Sequence, residues 1–256
     1  MKLIAALAAL FFVTAALYAS VGFGGGSTYT ALLIVFGVDY RLVPIIALAC
    51  NIAVVSGNSL RYGRAGHIEW ARIAPLIALS IPAAWLGARL SISEALFIGL
   101  LWIALALAGV RLLLFTPKAE TKFESRKTPL WLNLIIGAGI GFYSGLVGIG
   151  GGIFLAPILY TLRWGTARQI AATCSIFILV NSLSGMLGQV QKLSSLNLTH
   201  QALAFWPILP AVIIGGFIGN HMGVFRLSEL WLKRLTGLLI LSVAVRLAFK
   251  WLALIG

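Results

Sequence analysis

Two glycine clusters hold the residues of this sequence that are best suited to binding chemistry. The first contains Gly22, Gly24, Gly25 and Gly26, and the second contains Gly148, Gly150, Gly151 and Gly152. Each cluster follows an apolar run of helical length and precedes a shorter apolar run, which predicts a helix that breaks and restarts. A helix that restarts there presents unpaired backbone N–H groups and the positive end of its dipole. Each cluster therefore predicts an anion site.

Close helix packing is the alternative role for these clusters, because small residues often serve that purpose in membranes. Two clusters at matching places favour binding, since broken helices at corresponding positions of two repeats typically form transporter sites. Lipid cannot satisfy unpaired backbone groups, so both breaks should lie inside the protein. Packing alone is the better prediction for two stripes of glycine at four-residue spacing, which contain Gly137, Gly141 and Gly145, and Gly215, Gly219 and Gly223.

Neutral polar side chains interrupt the apolar run that follows each cluster. Asn51 and Asn58 lie on one helix face, and Ser175 and Ser182 repeat their spacing in the second half, beside Asn181. Amides and hydroxyls donate hydrogen bonds to oxyanions without adding a fixed charge, so we expect these side chains to line a substrate path. Hydrogen bonding between helices is an equally good interpretation of the same residues.

The composition is that of a polytopic membrane protein. Of 256 residues, 61% are hydrophobic and 10% are charged, and the mean hydropathy is +1.03. The net charge of +13 would suggest nucleic acid in a soluble protein. Here most of the excess falls in short loops, where it directs topology and binds anionic lipid head groups, so no nucleic-acid partner is expected.

The acidic residues and histidines narrow the function further. All six acidic residues fall at or beside predicted loops and helix ends, which disfavours a cation pump and favours an anion path. His67, His200 and His221 have no carboxylate or cysteine neighbours at ligand spacing. The glycine clusters match neither common nucleotide-binding motif. The sequence therefore predicts no metal, no cofactor and no enzyme activity.

The order of features repeats, which predicts an all-α membrane domain over residues 1–256 built from two homologous halves. The halves are 1–116 and 130–256, joined by a linker over 117–129. About eight to ten membrane elements are predicted, at 3–20, 27–37, 42–60, 73–88, 95–115, 130–147, 153–162, 166–187, 202–222 and 230–254. Five per half is an odd number of crossings, so we expect the repeats to be inverted. Whether the short second element of each half crosses or turns back stays open.

Paired halves that each open with Gly-x-Gly-Gly-Gly and continue into a span with Asn and Ser resemble the TauE/SafE family of membrane permeases, the sulfite exporters. The segment Gly148 to Pro157 carries the most specific part of the resemblance. The resemblance implies a multi-pass protein of the cell inner membrane that moves a small anion such as sulfite, thiosulfate, a sulfonate or sulfoacetate. Alternating access at the repeat interface is the expected mechanism.

Two other functions compete with transport. A non-transporting membrane scaffold or assembly factor is the main alternative, and a membrane-embedded enzyme is the weaker one. A scaffold would not need two matched backbone breaks. The identity of the anion, the direction of transport, the coupling ion and the oligomeric state stay open.

Overall fold

The computed structural model describes residues 2–20, 22–114, 128–222 and 229–255, and these residues form helices and connecting turns without strands. The prediction of an all-α membrane fold is confirmed. The first half contains α1 (Lys2–Ser20), α2 (Gly26–Val35), α3 (Val43–Arg64), α4 (Trp70–Arg89) and α5 (Glu94–Leu114). The second contains α6 (Leu130–Val147), α7 (Gly152–Thr161), α8 (Ala167–Ser195), α9 (Thr199–Leu203), α10 (Ile208–Met222) and α11 (Glu229–Ile255). Most of the predicted linker, 117–127, lies outside the described residues, as does Gly223.

Among the described residues, five helices are long and apolar enough to cross a membrane, namely α1, α3, α4, α6 and α8. The helices α2 and α7 have ten residues each, or about 15 Å, which is half the thickness of the hydrocarbon layer. Both are apolar, and both begin directly after a glycine with positive φ, Gly25 and Gly151. Only glycine adopts that backbone region without steric cost, so the glycines determine where each helix breaks.

The first break and the short helix α2 together run along the whole length of α3. From Gly22 to Gly26 the chain runs back along α3, contacting Tyr62 first, then Asn58, and finally Asn51. The helix α2 continues in the same direction and ends eight residues before α3 begins. The non-helical glycine segment and α2 together therefore return the chain from the C-terminal end of α3 to its N-terminal end.

One predicted element was wrong in its extent. The run at 202–222, predicted as a single element, contains the end of the short helix α9, a turn, and then α10 from Ile208. Pro207 lies immediately before α10, where its missing N–H costs nothing and its fixed φ suits a helix start. The helix α8 also continues to Ser195, beyond the predicted end at residue 187. Its last two turns are polar, so the apolar run that set the prediction ends before the helix does.

The two halves interlock through their outer helices. The first helix of each half packs against a later helix of the other half, α1 on α10 and α6 on α4, while α3 packs on α8 at the centre. The glycine stripes make the first two contacts, as predicted. Gly137, Gly141 and Gly145 meet the backbone of α4 at Leu76, Ser80 and Ala84, and Gly215 and Gly219 meet α1 at Phe12 and Ala16.

The central helices run in opposite directions. Ser59, near the end of α3, hydrogen-bonds Ser175, near the start of α8, at 3.0 Å. Leu48, near the start of α3, lies against Gly185 in the second half of α8. The helix α4 runs parallel to α8, because Ser184 bonds the Ile81 carbonyl and Gly188 lies one turn further along, against Trp85. An inverted repeat requires such an arrangement, and inversion across a membrane stays a prediction.

Single-cysteine labelling tests the inversion. The exposed residues Ala65 and Arg168 lie at one end of the α3–α8 pair, and the exposed residues Ser91 and Asn197 lie at the other. We expect Ala65→Cys and Arg168→Cys to react with an impermeant maleimide from one side of membrane vesicles, and Ser91→Cys and Asn197→Cys only from the other side. The native Cys50 and Cys174 are buried and should give little background. Labelling of Ala65→Cys and Asn197→Cys from the same side would contradict inversion, because these two positions follow the corresponding helices α3 and α8.

Candidate binding site at the glycine breaks

The two breaks meet in the interior at one side chain, Asn51 of α3. Asn51 is fully buried, and its Nδ2 donates a hydrogen bond of 3.1 Å to the carbonyl of Ile149, inside the second break. A β-carbon on Gly26 would collide with the same carbonyl and would lie 2.5 Å from Asn51 Nδ2. One on Gly150 would lie 2.7 Å from Nδ2. Glycine is therefore required at both places because two backbones and one amide share the space.

Each short helix begins with backbone donors that have no acceptor. In α2 the N–H groups of Thr28 and Tyr29 bond the Gly25 carbonyl, and α7 repeats this with two bonds to the Gly151 carbonyl. The first two N–H groups of each helix, on Gly26, Ser27, Gly152 and Ile153, find no acceptor among the residues that the structure describes. Such groups carry the partial positive charge of a helix N-terminus. The breaks thus bring two electropositive helix starts close together.

The predicted polar residues divide into two groups. Asn51 and Ser182 both lie beside Gly150, so the structure brings one residue from each half to the second break. Asn58 lies beside the first break, where its Nδ2 is 3.4 Å from the Phe23 carbonyl. Ser182 has no hydrogen-bond partner among the described residues. These three side chains lie at the breaks, and their role in binding stays a prediction.

Ser175 and Asn181 are placed differently. The Ser175 hydroxyl lies 3.0 Å from Ser59 and 3.4 Å from the Val55 carbonyl, which is a contact between helices. Asn181 Nδ2 donates to Phe177 in its own helix at 2.8 Å. Both arrangements match the packing interpretation better than the binding one.

The half-sites are not equivalent in side chains. Gly24 of the first break contacts Asn51 and Val55 of α3, whereas Gly150 of the second contacts Ile178 and Ser182 of α8. The place that Asn51 takes against the first break is thus taken by Ile178 against the second. The sequence pattern pairs Asn51 with Ser175, but the structure does not place those two residues alike.

Two further polar groups at the breaks escaped sequence reasoning. The Ser144 side chain lies beside Gly151 and the Tyr29 ring lies beside Gly25. Both side chains are fully buried, and neither oxygen has a partner in the described part of the chain. Ser144 sits within a glycine stripe and Tyr29 in the first turn of α2, and nothing in their spacing distinguishes them from packing residues.

The charges lie away from this interior. Among the residues whose burial the structure describes, no buried side chain is a Lys, Arg, Asp or Glu, and the buried polar groups are neutral. No cluster of metal-ligating residues occurs in the described ranges. One charged cleft lies near the C-terminal end of α2, where the Arg41 guanidinium hydrogen-bonds the Asp39 carboxylate and lowers its pKa, and Lys250 pairs with Glu94 at 2.8 Å. Among the residues whose burial the structure describes, no buried carboxylate offsets the positive helix starts.

The close approach of the breaks predicts a sharp difference between two glycines. Gly26→Ala should lower the free energy of unfolding by about 1–3 kcal/mol, because its methyl group forces Ile149 and Asn51 away. Gly139 is the matched control, since a β-carbon there meets nothing within 4 Å. Gly139→Ala should be neutral or stabilise by up to about 1 kcal/mol. Thermal unfolding of the purified proteins in detergent measures both changes, and equal midpoints for the two variants would refute the contact.

Comparison with known proteins identifies the family. The family model described as Sulfite exporter TauE/SafE matches residues 7–247. A probable membrane transporter protein, y4hK of Sinorhizobium fredii, is 35% identical over 94% of this chain and 96% of its own length. A probable membrane transporter protein of Xylella fastidiosa is 29% identical over 91% of each chain. No solved structure gives a significant match. With its buried pair of broken helices and its multi-pass fold, the chain belongs to the TauE/SafE family of membrane transporters.

Proposed function

We propose that this transporter moves a small oxyanion, of the sulfur oxyanion or organosulfonate class, and binds it where the two glycine breaks meet. One observation carries the proposal. Two helix N-termini with unpaired N–H groups lie together in a buried interior whose described polar side chains are all neutral. Such a site is electropositive without holding a fixed charge.

The energetics of this arrangement suit a transporter. A hydrogen bond from a neutral donor to a charged group contributes about 1.5–3 kcal/mol, and a helix N-terminus adds about 0.3–2 kcal/mol for a nearby anion. Several such contacts hold an anion, yet none has the strength of a buried ion pair that would trap it. The proposed ligands are the N–H groups of Gly26, Ser27, Gly152 and Ile153, with Asn51, Asn58 and Ser182 beside them.

The substrate class comes from the family and from the site together. The matching family model is described as a sulfite exporter, and sulfite, thiosulfate and sulfoacetate each present several oxygens that accept hydrogen bonds. Several N–H donors on two neighbouring helix starts suit a group with several acceptor oxygens. The proposal therefore covers sulfur oxyanions and sulfonates and leaves the direction of transport open.

Alternating access is the proposed mechanism. Asn51, Asn58 and Ser182 have no exposed surface, so solvent reaches them from neither end in this conformation. The antiparallel α3 and α8 flank the breaks, and in an inverted repeat the movement that opens the site to one side is related by a pseudo-twofold axis to the movement that opens it to the other. The structure fits the occluded state of such a cycle.

Flux into proteoliposomes that contain only this protein tests the proposal. We expect radiolabelled sulfite, thiosulfate or a sulfonate to cross faster than in protein-free liposomes and to saturate with concentration. Gly26→Ala should lower that flux by about tenfold or more, since a loss of 1.4 kcal/mol is already tenfold. Gly139→Ala should retain the wild-type rate. Folded protein that moves none of these anions under any gradient would favour the scaffold alternative.

A further inference from the structure

The Asn51 side chain places a buried hydrogen-bond acceptor, Oδ1, at the breaks, and an anion without a proton has no donor for it. Asn51 Nδ2 donates to the Ile149 carbonyl, which fixes the orientation of the amide and turns Oδ1 towards Gly24 of the first break. Asn51 Oδ1 is fully buried and accepts no hydrogen bond from the described residues. An unpaired buried acceptor is costly, and a native structure that keeps one usually has a reason for it.

Most other groups of the site are donors, although Asn58 Oδ1, beside the first break, is a second buried acceptor without a partner among the described residues. The N–H groups of the two helix starts can only donate, and the Ser182 hydroxyl, which lies beside Gly150, can donate or accept. A fully deprotonated oxyanion would satisfy the donors but would set its own lone pairs against Asn51 Oδ1. An anion that retains one O–H would satisfy both sides of the site.

We propose that the site selects an oxyanion that carries one proton and one negative charge, such as hydrogen sulfite, over the doubly charged form of the same anion. This inference rests on the proposed anion transport. The unprotonated oxygens accept from the N–H groups of α2 and α7, and the remaining O–H donates to Asn51 Oδ1. A site governed by helix dipoles alone would prefer the doubly charged form, so the sign of the preference separates the two ideas.

Titratable groups of the protein also lie near the site, and an anion that does not titrate controls for them. The titratable groups at the breaks are the hydroxyls of Tyr29 and Tyr62, with Tyr18 on α1 and the thiols of Cys50 and Cys174 on α3 and α8. His67 and Arg61 lie against Tyr62. A non-titrating anion reports any effect of His67.

Thermal-shift titration of the purified protein with sulfite and with methanesulfonate, at pH 6 and pH 8, tests the inference. The second proton of sulfite dissociates near neutral pH, whereas methanesulfonate keeps one charge and no O–H throughout. The apparent Kd for total sulfite should be about tenfold weaker at pH 8, following the fraction of hydrogen sulfite. The apparent Kd for methanesulfonate should not change.

Asn51→Leu supplies the second arm, with Asn133→Leu as its matched control. Asn133 is also a buried amide, but it lies near the start of α6, far from the break that follows that helix. Asn51→Leu should weaken hydrogen sulfite binding by about 10- to 100-fold and methanesulfonate binding much less. Asn133→Leu should leave the ratio of the two affinities unchanged.

Three results would overturn the inference. Sulfite affinity that is flat or that tightens at pH 8 contradicts it even if no variant folds, since this is measured on the wild-type protein. A folded Asn51→Leu with the wild-type affinity ratio contradicts the role of Oδ1. In both cases binding of the two anions would leave the proposed anion transport standing. If neither anion binds at either pH, the proposed function fails as well.

Discussion

A single buried hydrogen bond, from Asn51 Nδ2 to the Ile149 carbonyl, joins the halves at the point where both are broken. Each break leaves backbone groups without hydrogen bonds, and lipid cannot supply them. The two breaks lie against each other inside the bundle, away from lipid. The contact is close enough that only glycine fits at Gly26 and Gly150. Leaving the carbonyl unpaired would cost about 1–3 kcal/mol, so the bond and the two glycines act together.

The helices around the breaks are arranged so that neither half completes the interior alone. The first helix of each half is covered by a helix of the other half through glycine contacts in which backbone meets backbone. Such contacts depend on shape, because lipid provides no hydrophobic force between helices. The interior that results holds neutral donors and two helix starts. On the proposed function, this arrangement gives an anion a positive environment that it can leave again.

Much of this architecture could be predicted because its signals are local. A run of glycines predicts a helix break, and the length and hydropathy of the flanking runs predict helices. The stripe at Gly137, Gly141 and Gly145 predicts a close contact between helices, and the structure confirms it. The stripe does not predict which helix it contacts, since α4 lies some 60 residues earlier in the chain.

The site was harder to predict because it depends on contacts between distant residues. Asn51 and Ile149 are separated by 98 residues, and no spacing within either half reveals that they meet. Matching the halves by similar letters paired Asn51 with Ser175, whereas contact with the breaks pairs Asn51 with Ile178. A shift of three residues moves a side chain about 60° around the helix and about 4.5 Å along it, so a small error in alignment is enough to exchange a residue of the site for a neighbour that contacts another helix. Ser175 illustrates this, since it bonds Ser59.

The central claim is that the two glycine breaks form one anion site around Asn51. A crystal structure of the protein with selenite, an oxyanion that resembles sulfite and scatters anomalously, tests the claim most directly. The account predicts an anomalous peak within hydrogen-bonding distance of the N–H groups that begin α2 and α7, and beside Asn51. A peak found only at surface arginines and lysines, in a protein that still transports selenite, would contradict it.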